Sequence, residues 1–188
     1  LNQIIKQRIS ILQNLSVGVP LLKQYLTFFK NENNPTDVKM YNGKNGIKQV
    51  LWNELNCKNK VIYSFTYRHI GEIIGMKFTK TLEKEYRARK FKIYDLQSSE
   101  FAKSITPKIY DEIVTVKAKY IDPKILDIQI ALDIWDDTVT IFNWYKGEVF
   151  AVEIKNDKFA DFMKQIHRVV WKQATTKSSK LTNERVKE

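Results

Sequence analysis

Two segments of the chain bring residue types together at spacings that could do chemistry. In the second half, Asp137 precedes Glu153-Ile154-Lys155. On adjacent strands, an aspartate and a Glu-x-Lys triplet can hold a magnesium ion and activate water, which is the chemistry of a metal-dependent nuclease. A Lys-rich chain also yields such triplets by chance, Asp122-Pro123-Lys124 being another. In the first half, Tyr41-Asn42-Gly43-Lys44-Asn45-Gly46 reads as a strand-to-helix turn whose exposed amides could hold an anion or a sugar hydroxyl. It lacks the full Gly-x-x-x-x-Gly-Lys-Ser/Thr phosphate loop, and a tight connection is its plainer reading. The chain has two histidines, His69 and His167, and one cysteine, Cys57. His69 follows Arg68 at a predicted strand end, where both can face a pocket. His167 follows Ile166 on a predicted helix, as a boundary residue. A single cysteine excludes an internal disulfide framework and any multi-cysteine zinc site. Of the aromatic residues, Trp144-Tyr145 beside a turn could expose a ring for stacking, whereas alternation places most of the others in the core.

The elements that must position these groups follow from periodicity. Residues 1–16 carry Leu1, Ile4, Ile5, Ile9, Ile11, Leu12 and Leu15, one broad apolar helical face. Val17-Gly18-Val19-Pro20 interrupts it, a second helix covers 21–30, and a polar loop with Pro35 follows. Strands are predicted at 38–41, 61–66 and 91–96, and helices at 46–56, 76–89 and 100–104. That alternation is the pattern of a mainly parallel sheet covered by helices. Four further strands, at 113–120, 126–134, 138–144 and 149–154, are expected to form a meander, with turns at Asp136-Asp137 and Lys146-Gly147. Asn156 or Asp157 can cap a last helix carrying Phe159, Phe162, Met163, Ile166, Val169, Val170 and Trp171.

The chain is 188 residues long with 43% hydrophobic and 12% aromatic residues, enough apolar area for one full core. No apolar run approaches the ~20 residues of a membrane span, so a soluble cytoplasmic protein with no membrane partner is expected. The net charge of +11 comes from 32 basic and 21 acidic residues. The excess gathers between Lys77 and Lys92 and again from Arg168 to Lys187. Such patches favour polyanions, although Lys greatly outnumbers Arg and it is the Arg fork that suits specific phosphate contacts. Because Leu1 already lies inside a predicted helix, the chain is expected to begin partway through a longer protein.

In this order, and with their local sequences, these elements resemble the C-terminal domain of TrmB-type transcriptional regulators. The match is carried by Tyr41 to Ile47, by Tyr86-Arg87-Ala88-Arg89, and by Ile128 to Trp171. Within the last run, Asp133-Ile134-Trp135-Asp136-Asp137-Thr138-Val139-Thr140-Ile141 is similar to the family's hairpin, and Ala151 to Asn156 with the following helix is similar to its close. The resemblance covers roughly residues 20–173. It implies a phospholipase D-like α/β fold, a mixed sheet covered by helices, without the catalytic residues. It also implies a winged helix-turn-helix joined through a dimerising helix, and in some members a bound sugar. A phospholipase D-like enzyme needs a histidine nucleophile with a lysine two residues on. Here His69 is followed by Ile70-Gly71 and His167 by Arg168-Val169.

The resulting expectations are a connecting and dimerising segment at 1–35, a regulatory domain at 36–174 and a basic flexible tail at 175–188. No enzymatic activity, cofactor or metal is expected. The chain should form a homodimer through Ile4, Ile5, Ile11, Leu12 and Leu15, and reach DNA only through a domain outside this sequence. A sugar or anion effector is expected among Tyr41, Gly43, Gly46, Arg68, His69 and Asp95, in a crevice bounded by both strand-end loops. The rivals are a metal-dependent nuclease or phosphodiesterase-like enzyme, and a basic nucleic-acid-binding module.

Overall fold

A computed structural model of the chain describes residues 36–98, 116–144 and 147–176, all within the compact unit Thr36–Glu188. The described residues form the strands β1 (Asp37–Asn42), β2 (Val61–Thr66), β3 (Lys92–Ser98), β4 (Val116–Ile121), β5 (Ala131–Trp135), β6 (Thr138–Asn143) and β7 (Phe150–Lys155). The helices are α1 (Gly43–Asn53), α2 (Gly71–Ile74), α3 (Met76–Ala88) and α4 (Asp157–Gln173), and a 3-10 turn, Glu54–Asn56, extends α1. Residues 1–30, including the five proposed dimerisation residues, and the helix expected at 100–104 lie outside the described residues.

All seven strands join one sheet in the order β1-β7-β6-β5-β2-β3-β4. The sheet is mixed, but it is less parallel than the alternation of elements suggests. Only β2–β3 and β3–β4 pair in parallel, while β1–β7, β7–β6, β6–β5 and β5–β2 are antiparallel. The expected meander is therefore three strands long. Its supposed first member, β4, lies instead at the far edge beside β3. The run from 126 to 134 is a strand only from Ala131. Ahead of it Asp122 makes a turn, its carboxylate accepting from the Lys124 amide at 2.8 Å and its carbonyl from the amides of Ile125 and Leu126.

Strand alternation gives the sheet two faces, and each is covered. On one face Ile62, Ala131, Phe142 and Ala151 meet Ile47, Val50 and Leu51 of α1 and Leu82 and Tyr86 of α3. On the other, Phe65, Leu96, Ile134 and Val139 meet α4 through Ala160, Phe159, Met163, Val170 and Trp171. Fully burying an aliphatic side chain of this kind contributes about 1.5–3 kcal/mol, so these two layers hold the sheet between helices. α4 begins where the sequence places it: Asn156 Oδ1 accepts from the Phe159 amide at 2.8 Å, a cap worth about 1 kcal/mol. The predicted apolar stripe of this helix divides, however. Phe162 and Val169 are 55% and 58% exposed, and His167 is buried in their stead. At the other end of the helix, Thr175, assigned from sequence to the tail, exchanges two backbone hydrogen bonds with Tyr120, at 2.8 and 2.9 Å.

Candidate functional site

The face covered by α1 and α3 carries an unusual row. The registers Asp133↔Ser64 and Ser64↔Asp95 set an aspartate on either side of Ser64, and Asp133↔Thr140 and Thr140↔Glu153 continue the row across the sheet. In each strand these residues occupy the same inward-facing alternation as apolar neighbours such as Ile62, Ile93 and Ala131. Polar side chains are thus built into a layer that is otherwise hydrophobic. From above, the 3-10 turn after α1 lowers Glu54 into the same space, and α3 contributes Tyr86.

Together these groups line a cavity of about 150 Å³. Its floor is Ile62, Ser64, Thr66, Ile93, Asp95, Ala131, Asp133 and Phe142, and its roof is Leu51, Glu54, Thr79, Leu82 and Tyr86. Arg68, His69 and Trp144 lie beyond the ends of β2 and β6 and complete the lining there. Ser64 Oγ donates to Asp133 Oδ1 at 2.5 Å, Gln97 Nε2 to Asp95 Oδ2 at 2.6 Å, and Tyr86 OH to Glu54 Oε2 at 2.8 Å. The second oxygen of two of these carboxyls, Glu54 Oε1 and Asp95 Oδ1, has no hydrogen-bond partner among the described residues, and nor has Trp144 Nε1. Such groups are uncommon in a folded interior and each needs a reason.

Burial disfavours the charged form of a carboxyl. It pushes Asp133 up to about 7 and Asp95 up to about 6. Glu54 is raised well above its ordinary value by burial first and then by the charge of Asp133. Burial also lowers His69, whose Nδ1 accepts from the Gly71 amide at 3.1 Å. Arg68 is turned towards Glu72, Nε to Oε2 at 3.0 Å.

The six residues singled out from sequence are not brought into one site. Arg68, His69 and Asp95 line this cavity, although Asp95 lies within β3 rather than in a strand-end loop. Tyr41 lines a separate cavity of about 200 Å³ with Asp37, Lys39, Asn53, Trp135, Thr138, Glu153 and Lys155. Gly43 and Gly46 line neither. β1 and β2 do run the same way, so both loops leave the same edge of the sheet. Three strands separate them in the sheet order, a span of roughly 19 Å at the usual strand spacing, so the two loops do not bound a single crevice. The glycines have a structural use instead. Gly43, at φ +70°, gives its amide to the Val149 carbonyl at 2.7 Å, and a Cβ on Gly46 would come within 2.8 Å of the Tyr41 carbonyl carbon.

The nuclease-like triplet is also engaged elsewhere. Glu153 accepts from Tyr41 OH and from Asn53 Nδ2, and burial, followed by this bond, raises Tyr41 to about 12. Lys155 sits 3.6 Å from Asp137. Among the described residues no group of three His, Cys, Asp or Glu could hold a metal ion. The two histidines occupy opposite faces of the sheet. His167 lies in the layer under α4, with Nε2 3.0 Å from the Tyr94 carbonyl and its ring against Tyr63, Phe65 and Trp171. Burial lowers its pKa to about 4.

Glu54, Ser64, Asp133 and Tyr86 escaped the sequence reading of the site. The available signal was charge in an apolar setting, Asp133 between Leu132 and Ile134 and Glu54 before Leu55.

No family model and no curated protein matches the chain. Solved structures do. TrmBL2, described as an archaeal chromatin protein whose structure shows a novel mode of DNA binding, matches 93% of this chain and 68% of its own, with a TM-score of 0.53 and 16% identity. NucT from Helicobacter pylori matches 74% of this chain and 98% of its own, with a TM-score of 0.55 and 12% identity. Nuc from Salmonella typhimurium, a phospholipase D family member, matches 74% and 96%, with a TM-score of 0.56 and 11% identity. At these identities the likeness is one of fold, and the seven-stranded mixed sheet between two helical layers is the phospholipase D-like α/β fold that the sequence resemblance implies, shared with TrmBL2 and Nuc.

Proposed function

We propose that this chain is the non-catalytic, ligand-sensing and self-associating domain of a DNA-binding regulator, and that the cavity under α1 and α3 is its effector site. The observation that carries this reading is the cavity itself. It is a mainly apolar chamber with a few convergent polar groups, some of them unpartnered, which is how small-molecule sites are built. The fold shared with TrmBL2 supports a regulatory setting, in which a ligand acts by favouring one arrangement of the segments joined to the domain. The absence of a lysine two residues after either histidine favours this over a phosphodiesterase, because a phospholipase D-like site needs that charge clamp beside its nucleophile.

A thermal-shift screen of small molecules tests the proposal. Hits whose effect disappears in Ala131→Phe, which fills the chamber, support it. Turnover of a phosphodiester substrate that is lost in His69→Ala would replace it with the enzymatic alternative.

A further inference from the structure

The apolar chamber has one chemical bias, and it runs against the sugar or anion expected from sequence. Four carboxyl residues, Glu54, Glu83, Asp95 and Asp133, line it, and against them stands Arg68, whose Nε is paired with Glu72 at 3.0 Å. Glu54 is 1% exposed and Asp95 4%. Each keeps one oxygen with no hydrogen-bond partner among the described residues, in a cavity that both line. Burying a carboxyl oxygen without a donor is costly, and burying an ionised one without a cation more so. Where these carboxyls are ionised, the missing counterpart is therefore a hydrogen-bond donor, and a positively charged one fits best.

We infer that the cavity takes a small organic cation, a primary ammonium group on an apolar body, with the ammonium held among Glu54, Asp95 and Asp133. This rests on the reading of the cavity as an effector site and names its ligand class. An ammonium has three donors and no acceptor, which suits a lining with free carboxyl oxygens. Leu51, Ile62, Leu82, Ile93 and Phe142 form an apolar part of the wall. That part welcomes a hydrocarbon body and offers an aromatic ring to the cation. An anion would meet the carboxyl row. The volume sets the size: a cavity of about 150 Å³ accommodates one six-membered carbon ring.

Benzylamine has these properties, and benzyl alcohol, benzoate and glucose serve as its neutral, anionic and polyol counterparts. Calorimetric titration of the chain at pH 8 with each probe tests the inference. Benzylamine is expected to bind at least about tenfold more tightly than benzyl alcohol, with Asp133→Asn and Asp95→Asn each weakening it by about tenfold or more. Both changes are isosteric, and circular dichroism melting verifies that the variants fold. Equal binding of amine and alcohol, or amine binding untouched in both Asn variants, overturns the inference. Glucose or benzyl alcohol binding without the amine, and lost in Ala131→Phe, overturns the cation and leaves the effector site standing. No binding by any probe at millimolar concentration counts against both.

Discussion

Ser64 and Asp133 face each other across β2 and β5, and the serine hydroxyl donates to Asp133 Oδ1 at 2.5 Å. Their pairing is non-local, 69 residues apart in sequence, and it fixes a titratable group at the centre of the core.

Asp133→Asn keeps the acceptor for Ser64 and removes the charge. Burial raises the folded pKa of Asp133 to about 7, from an ordinary 3.8. Its contribution to stability is therefore full at low pH and is lost as pH rises through about 7. The variant should be more stable than the parent at pH 8, by about 1–3 kcal/mol, with the gain vanishing towards pH 4. Urea unfolding at the two pH values measures it, and an unchanged or lower midpoint at pH 8 would contradict the prediction.

His167 acts with the opposite sign. Its pKa falls from 6.5 to about 4 on burial, so its contribution is present above about 6.5 and is lost as pH falls towards 4. His167→Leu removes that acid sensitivity. It also leaves the Tyr94 carbonyl without its partner, at a cost of about 1–3 kcal/mol at pH 7.5. The expected signature is a less stable protein whose unfolding midpoint drops less than the parent's between pH 7 and pH 4.5.

Gly46→Ala brings a methyl group against the Tyr41 backbone, 2.8 Å from its carbonyl carbon. A backbone atom cannot swing aside as a side chain would. A loss of about 1–3 kcal/mol in chemical denaturation is expected, despite the better helix propensity of alanine.

Asp136 turns the β5–β6 hairpin at φ +42°, and its carboxylate accepts from the Lys58 amide at 2.7 Å and the Asn59 amide at 3.3 Å. Asp136→Ala should cost about 1–3 kcal/mol through the two orphaned amides and the positive φ. Asp136→Asn, which tolerates that backbone and retains one acceptor, should cost clearly less. Equal losses in the pair would show that the carboxylate is dispensable.

The sequence was most legible where structure is local. The β-branched run at Val61–Thr66 and the cap at Asn156 are written in neighbouring residues, and both stand where periodicity and capping chemistry put them. The helix Gly71–Ile74 was missed because four residues carry too little periodicity to register. What alternation cannot encode is which strand lies beside which. β4 joined β3 rather than the meander, and β5 came to rest against β2. The cavity depends on that second choice, since Asp133 reaches Ser64 only through it. For the same reason the residues named from sequence are divided, with Arg68 and His69 carried to the cavity by β2, Asp95 by β3, and Tyr41 carried away from it by β1.

The pairing of β1 with β7 bears on the order in which the molecule can assemble. Tyr41 and Glu153, bonded across these strands, are 112 residues apart, and among the described residues β1 has no other strand beside it. During synthesis β1 emerges early and must wait for almost the whole domain before its hydrogen bonds can close. Such high contact order slows folding, and an unpaired strand edge is a hazard while it lasts. The exposed Val38 and Met40 on β1 make this waiting interval the point at which the nascent chain is most open to pairing with a neighbour.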